Sequence, residues 1–266
     1  MKKFWGFLLV IVLMTSCGEY QSLLKSNDYN LVYKKAIEYY NKGDYQRAMN
    51  LLDGVRSVFV GQAKAQNIAY YWAFCSYNMK DYQIASDLFK QFIQTYPESS
   101  FAEECLYMMG FCDYKASPKP RLDQQVTEKA IREFQLYLSR YPYSMRKDKV
   151  NTYMDEMRDK LSYKAYLSAK NYYLREHYKA AVISLQNCLK DYPGSKYREE
   201  IMYMLFVSKY QMAVNSVEDK KVERYNNARE EYYYFADEYP NSRYAADVKK
   251  MYEDIEAYLE NYKFED

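Results

Sequence analysis

Glycine and proline are scarce in this 266-residue chain, at 7 and 6, and histidine occurs once. So few glycines form no phosphate-cradling loop, and no P-loop or nucleophile elbow can be found. The single His177 stands beside a turn and reads as a solvated or packed imidazole; catalysis is not expected. Net charge is missing too, with 38 Lys plus Arg against 36 Asp plus Glu, which excludes the strong basic field that nucleic-acid binding needs. None of the 5 cysteines forms a CxxC pair or lies near the histidine, so no metal site is expected. Cys75, Cys105, Cys112 and Cys188 fall within helical patterns and are expected to be buried free thiols. Runs of Val, Ile and Thr are few. What is abundant is Lys, Glu, Ala, Leu, Met and 35 Tyr, a composition that favours an all-α fold. No enzymatic activity, cofactor or small-molecule substrate is implied.

The one long apolar run is at the start, "MKKFWGFLLVIVLMTSC". Lys2 and Lys3 precede a short apolar stretch, Phe4 to Met14, too short to span a bilayer and suited to export. "LMTSC" resembles a bacterial lipobox, in which the thiol of Cys17 takes the lipid and becomes the mature N-terminus. An ordinary signal peptide with a coincidental cysteine is the alternative. Removal of residues 1–16 takes the formal charge from +2 to zero. Residues 17–28 would then form a lipidated tether.

An internal repeat organises the rest. "DYQRA" (44–48) returns as "DYQIA" (81–85), "VTEKA" (126–130), "HYKAA" (177–181) and "RYNNA" (224–228). Twelve residues after each final Ala come Val60, Pro97, Pro142, Pro193 and Pro240, and Tyr precedes all four prolines. Ser99, Ser144, Ser195 and Ser242 follow the prolines by two, where a helix N-cap is expected. This pattern resembles the tetratricopeptide repeat (TPR), an antiparallel helix pair in which Gly43 ends helix A, Tyr45 packs in the turn, and Ala48 admits helix B. The resemblance predicts a solenoid of five helix pairs over residues 29–262, with three repeats in 29–143 and two in 144–266. Helix 243–262 closes the stack, with Val248, Met251, Ile255, Tyr258 and Tyr262 on one stripe. Residues 145–176 read as one long helix.

In TPR arrays positions 5, 9 and 12 of helix A line the concave face. Here they are Tyr33, Ile37 and Tyr40; Tyr70, Phe74 and Tyr77; and Tyr107, Phe111 and Tyr114. Gly110 falls at the small-residue position of helix A. Such a face suits an extended peptide bearing aromatic side chains. A core stripe is the other reading, though Ala36, Trp72, Ala73, Leu106 and Met108 offer a separate packing set. The equivalent positions of the fourth repeat, Thr152, Glu156 and Asp159, are polar. In the fifth, Tyr203, Val207 and Tyr210 restore an apolar face for docking a protein partner. The Pro-rich loop 115–125 offers Lys119, Arg121 and Asp123 as contacts, a solvated turn being equally consistent with it.

Lipobox, repeat order, the long fourth-repeat helix and the opening "CGEYQSLLKSNDYNLVYKKAIEYYNKGDYQRA" together resemble the BamD family of TPR lipoproteins in outer-membrane β-barrel assembly. The resemblance implies a periplasmic, lipid-anchored protein whose N-terminal repeats engage unfolded barrel clients. Its C-terminal repeats would dock on the POTRA domains of a BamA-like barrel protein. Other envelope TPR scaffolds, and nutrient-binding lipoproteins of the SusD type, are the competing classes.

Overall fold

Four Tyr-Pro pairs stop four helices in the same way. In the computed structural model, which describes residues 18–262, Tyr96, Tyr141, Tyr192 and Tyr239 all leave the helical region, at φ between −133° and −126° and ψ between 61° and 66°. The proline ring excludes the residue before it from helical φ/ψ, so the chain turns out. Each tyrosine N–H still donates one last bond, to the carbonyls of Phe92, Tyr137, Cys188 and Phe235 respectively.

These stops close the last four of five helix pairs, while the first ends at Arg56 without a Tyr-Pro. After a short α1 (residues 18–24) come α2 (Tyr29–Asn41) with α3 (Tyr45–Arg56), α4 (Lys64–Asn78) with α5 (Tyr82–Thr95), and α6 (Ala102–Ala116) with α7 (Gln125–Arg140). Then follow α8 (Lys147–Leu174) with α9 (Tyr178–Asp191), α10 (Arg198–Val214) with α11 (Glu218–Glu238), and the closing α12 (Ala245–Tyr262). The fold is all-α, as the sequence predicts. Among the described residues no helix is long and apolar enough to cross a membrane. Cys17, read as the lipid attachment site, and residues 1–16, read as a leader, lie outside the described residues.

Three of the five pairs share a three-residue turn. Gly43, Lys80 and Glu176 occupy its left-handed position, at φ of +80°, +68° and +59°. The next residue donates back across the turn, Asp44 to Tyr39 O, Asp81 to Ser76 O and His177 to Tyr172 O, each at 3.0 Å. A second bond runs from the left-handed residue itself, as from Gly43 N to Tyr40 O at 3.0 Å. This is the Schellman arrangement, which satisfies carbonyls orphaned at a helix end. Only the first copy uses the residue type for which that conformation carries no steric cost.

The serines depart from the expected N-cap role. Ser99, Ser144, Ser195 and Ser242 accept from the N–H two residues on, and helices α6, α8, α10 and α12 begin three residues after them. A serine hydroxyl reaches that near N–H readily, making a turn ahead of the helix. The same hydroxyls tie successive A helices together. Ser99 donates to Gln66 (2.6 Å), Ser144 to Glu103 (2.8 Å) and Ser242 to Glu199 (2.6 Å), while Ser162 donates to Ser195 (2.8 Å).

The chain forms two compact units, and the division falls inside α8. The first comprises residues up to Lys119 with Asp123–Met154; the second comprises Asp155 onward with Pro120–Leu122. The stretch read as a tether is not all free chain: residues 18–24 are helical, and Tyr20 and Leu23 enter the first core beside Val32, Ala36 and Leu52. Repeat alanines Ala48, Ala85, Ala130, Ala181 and Ala228 are fully buried, as close helix approach requires. Gly110 is tighter still. A Cβ there would stand 2.9 Å from Phe134 Cδ1. Cys75, Cys105, Cys112 and Cys188 are buried free thiols, and burial pushes Cys75 and Cys105 up to about 12.

One polar cluster interrupts the first core. The Lys129 ammonium lies 2.9 Å from Asp113 Oδ2 and 3.6 Å from Glu133 Oε1, and Ser86 Oγ donates to Asp113 at 3.0 Å. Burial, and then the adjoining Asp113 carboxylate, push Glu133 up to about 8. Its carboxyl therefore keeps its proton well above the usual carboxylate range, which avoids a second negative charge beside Asp113 where the one ammonium of Lys129 faces both.

Candidate functional site

The A helices α2, α4 and α6 of the first unit present side chains at i, i+4 and i+7 that are aromatic at every position but Ile37, and the stacking of the repeats brings these stripes side by side. Tyr33, Ile37 and Tyr40 lie on α2, Tyr70, Phe74 and Tyr77 on α4, and Tyr107, Phe111 and Tyr114 on α6. Their rings touch in series. Tyr70 packs on Phe74 with centroids 4.5 Å apart, Phe74 reaches Tyr77 at 6.2 Å, and Tyr77 reaches Phe111 at 6.2 Å across to the next repeat. Phe111 then stacks with Tyr107 (5.6 Å) and Tyr114 (5.9 Å). Tyr33 stands at the edge of this row, against Phe59 at 6.3 Å.

Eight of the nine positions are half-buried and Tyr107, at 7% exposure, is buried. The separate packing set is deeper: Ala36, Ala73, Leu106 and Met108 are buried, and only Trp72 is half-buried. The row therefore offers edges and hydroxyls to solvent rather than whole rings. Those hydroxyls are un-ionised. Burial raises Tyr33, Tyr40, Tyr77 and Tyr107 above the usual phenol value, and burial followed by the Glu104 charge pushes Tyr70 up to about 12. Cations border the row without entering it. The Arg146 guanidinium lies 4.6 Å from the Tyr107 ring centroid, and the Lys64 ammonium 5.8 Å from that of Tyr33. The face can receive apolar or aromatic side chains and donate hydrogen bonds to a peptide backbone.

Two members escape a search at positions 5, 9 and 12. Tyr71 lies 5.0 Å from Tyr40, and Tyr153 lies 4.5 Å from Tyr114. Each follows position 5 of its own helix by one residue and reaches back to the preceding A helix. That shared offset, with Tyr at both places, is the signal in the sequence. Thr152, Glu156 and Asp159 are exposed, so the aromatic row ends at Tyr153.

The loop candidates divide. Asp123 Oδ1 accepts from Gln125 N at 2.9 Å and so starts α7, while Lys119 contributes its carbonyl to Gln124 Nε2 at 2.9 Å. Arg121 is exposed, and among the described residues no hydrogen bond or ion pair engages its side chain. In the second unit Val207 is a core residue, at 6% exposure, and offers no docking surface. Tyr203 and Tyr210 are half-buried against α12, with hydroxyls donating to Asp247 (2.6 Å) and Asp254 (3.2 Å). The Tyr203 ring stacks on Tyr244 with centroids 4.0 Å apart. Only the remaining edges of these two tyrosines are open to a partner. His177 is exposed at the start of α9, and among the described residues no cluster of His, Cys, Asp and Glu could hold a metal ion.

Comparison with known sequences yields one family, YfiO, described as an outer membrane lipoprotein, matching residues 25–200 and 165–265. No curated protein matches the chain. Among solved structures, a TPR repeats protein from Bacteroides fragilis NCTC 9343 is 12% identical, with a TM-score of 0.41 over 87% of this chain and 99% of that one. The TPR2AB domain of yeast Sti1, in its complex with pHSP90, is 13% identical, with a TM-score of 0.39 over 86% of this chain and 98% of that one.

Proposed function

The chain belongs to the YfiO family of outer membrane lipoproteins, and from that membership we propose that it is a non-enzymatic recognition and docking subunit of outer-membrane β-barrel assembly. Lipid on Cys17 holds it at the periplasmic face. The first unit engages segments of unfolded barrel proteins, and the second docks on the POTRA region of a BamA-like barrel. The observation that carries the client reading is the aromatic row from Tyr40 through Phe74, Tyr77 and Phe111 to Tyr153. Its rings are already ordered by one another, so a peptide that settles on them meets a rigid surface with little further ordering cost. Side chains alternating along an extended client would fall on this row while its backbone meets the phenol hydroxyls.

A photo-crosslinking residue placed at Tyr77 or Phe111 in cells tests this, with Tyr233 of the second unit as the comparison site. Barrel proteins are expected on the first two and a POTRA-containing protein in co-purification. Capture of no barrel protein, together with unchanged outer-membrane protein levels on depletion, would overturn the proposal. Co-purification of a TonB-dependent transporter instead would favour nutrient uptake.

A further inference from the structure

A cleft of about 790 Å³ in the second unit is not part of the aromatic row. It lies along the C-terminal half of α8, between the start of α10 and the tip of the loop at Arg121. Its size is within the range of about 300–1,000 Å³ typical of ligand pockets. Three tyrosines form one wall. Tyr166 stacks on Tyr197 with centroids 4.4 Å apart and planes 11° apart, and Tyr163 lies 5.3 Å from Tyr197. Leu167 and Leu174 add apolar surface, Leu174 being 66% exposed.

The charge lining is one-sided. Arg121, Lys164 and Lys170 face the cleft, and none of its lining residues is acidic. Lys170 is already matched, 2.7 Å from Glu200 and 2.8 Å from the Tyr166 hydroxyl. Lys164 donates to the carbonyl of Leu122 at 2.8 Å, which ties the loop tip to α8 and holds the neighbouring Arg121 at the rim. Arg121 is left with its full charge and no partner among the described residues. In a chain of nearly balanced charge, this is a local positive site beside apolar walls.

We propose that this cleft binds an acidic peptide segment of a partner protein, with one carboxylate on Arg121 and adjacent apolar side chains against Leu167, Leu174 and the tyrosine wall. A planar guanidinium matches a carboxylate through two parallel hydrogen bonds. One unmatched cation suits a single negative charge, whereas a phosphate dianion would draw on several. The leucines and tyrosines have no use for a bare ion but suit side chains flanking the acid. The proposal stands apart from the client reading of the first unit and survives its failure.

Fluorescence anisotropy with the chain from residue 18 onward tests it. The probe is a labelled octapeptide with one glutamate between two leucines, beside its glutamine counterpart. The glutamate peptide is expected to bind about tenfold more tightly, the scale of one charge-assisted hydrogen bond. Arg121→Gln should abolish that preference, while Lys42→Gln, an exposed lysine of the first unit, should leave it intact. Arg121 is exposed and unpaired, so its loss leaves the fold unchanged by circular dichroism. Equal binding of the two peptides to the parent chain would overturn the proposal. So would an unaltered preference in Arg121→Gln, or displacement of the peptide by inorganic phosphate more effectively than by acetate.

Discussion

Lys80 and Glu176 occupy left-handed positions that the first repeat gives to glycine, so replacing each with glycine should stabilise the protein. A left-handed residue bearing a Cβ costs about 1–2 kcal/mol, which the substitution removes. Glycine in turn gives the unfolded chain more freedom, a loss of about 0.4–1 kcal/mol. The difference leaves roughly 0.5–1 kcal/mol at each site. Both side chains are exposed and make no hydrogen bond or ion pair with described residues, so nothing else is removed. The converse is Gly43→Ala. A Cβ at Gly43 would meet no atom within 4 Å, so any destabilisation there comes from the backbone alone. Urea denaturation of the chain from residue 18 onward, followed by circular dichroism, reads all three. Lys80→Gly and Glu176→Gly should raise the midpoint with unchanged slope, and Gly43→Ala should lower it. If both glycine substitutions lower the midpoint while Gly43→Ala leaves it unmoved, the shared-turn account is wrong.

Two further outcomes follow from buried contacts. Gly110→Ala should destabilise by about 1–2 kcal/mol, because overpacking against Phe134 exceeds the helix propensity gained, and a raised urea midpoint would refute the close approach. Glu133 has a folded-state value of about 8, above its unfolded value, so its contribution to stability is full below the unfolded value and is lost as pH rises through about 8. Glu133→Gln should therefore flatten the fall in stability between about pH 5 and about pH 8, and equal slopes in parent and variant would count against a buried neutral carboxyl.

The helix pairs were legible because their punctuation is covalent. Proline before Ser99, Ser144, Ser195 and Ser242 restricts the residue ahead of it whatever the rest of the repeat contains, and Ala48, Ala85, Ala130, Ala181 and Ala228 mark close packing by their size. The long α8 could be read because residues 147–174 hold no breaker. Less could be read where a side chain's partner lies in another repeat. Tyr71 and Tyr153 look like ordinary neighbours of positions 70 and 152 until the preceding A helix is placed beside them. Val207 shares helical spacing with Tyr203 and Tyr210, yet α10 is apolar around much of its circumference, so periodicity alone does not tell the interior from the exposed side. The Arg121 cleft joins a loop to α8 and to Tyr197 at the start of α10, a pairing that no local pattern encodes.

The serine ties explain how a stack can be assembled from pieces of such unequal length. Successive repeat alanines are separated by 37, 45, 51 and 47 residues, which would dephase any arrangement that depended on a constant period. Here alignment is reset at the four Tyr-Pro joints, where the residue after Tyr-Pro-x meets the earlier A helix, so slack inserted elsewhere is not passed along. Loops between A and B helices are thereby free to lengthen and diversify while the joints stay in step.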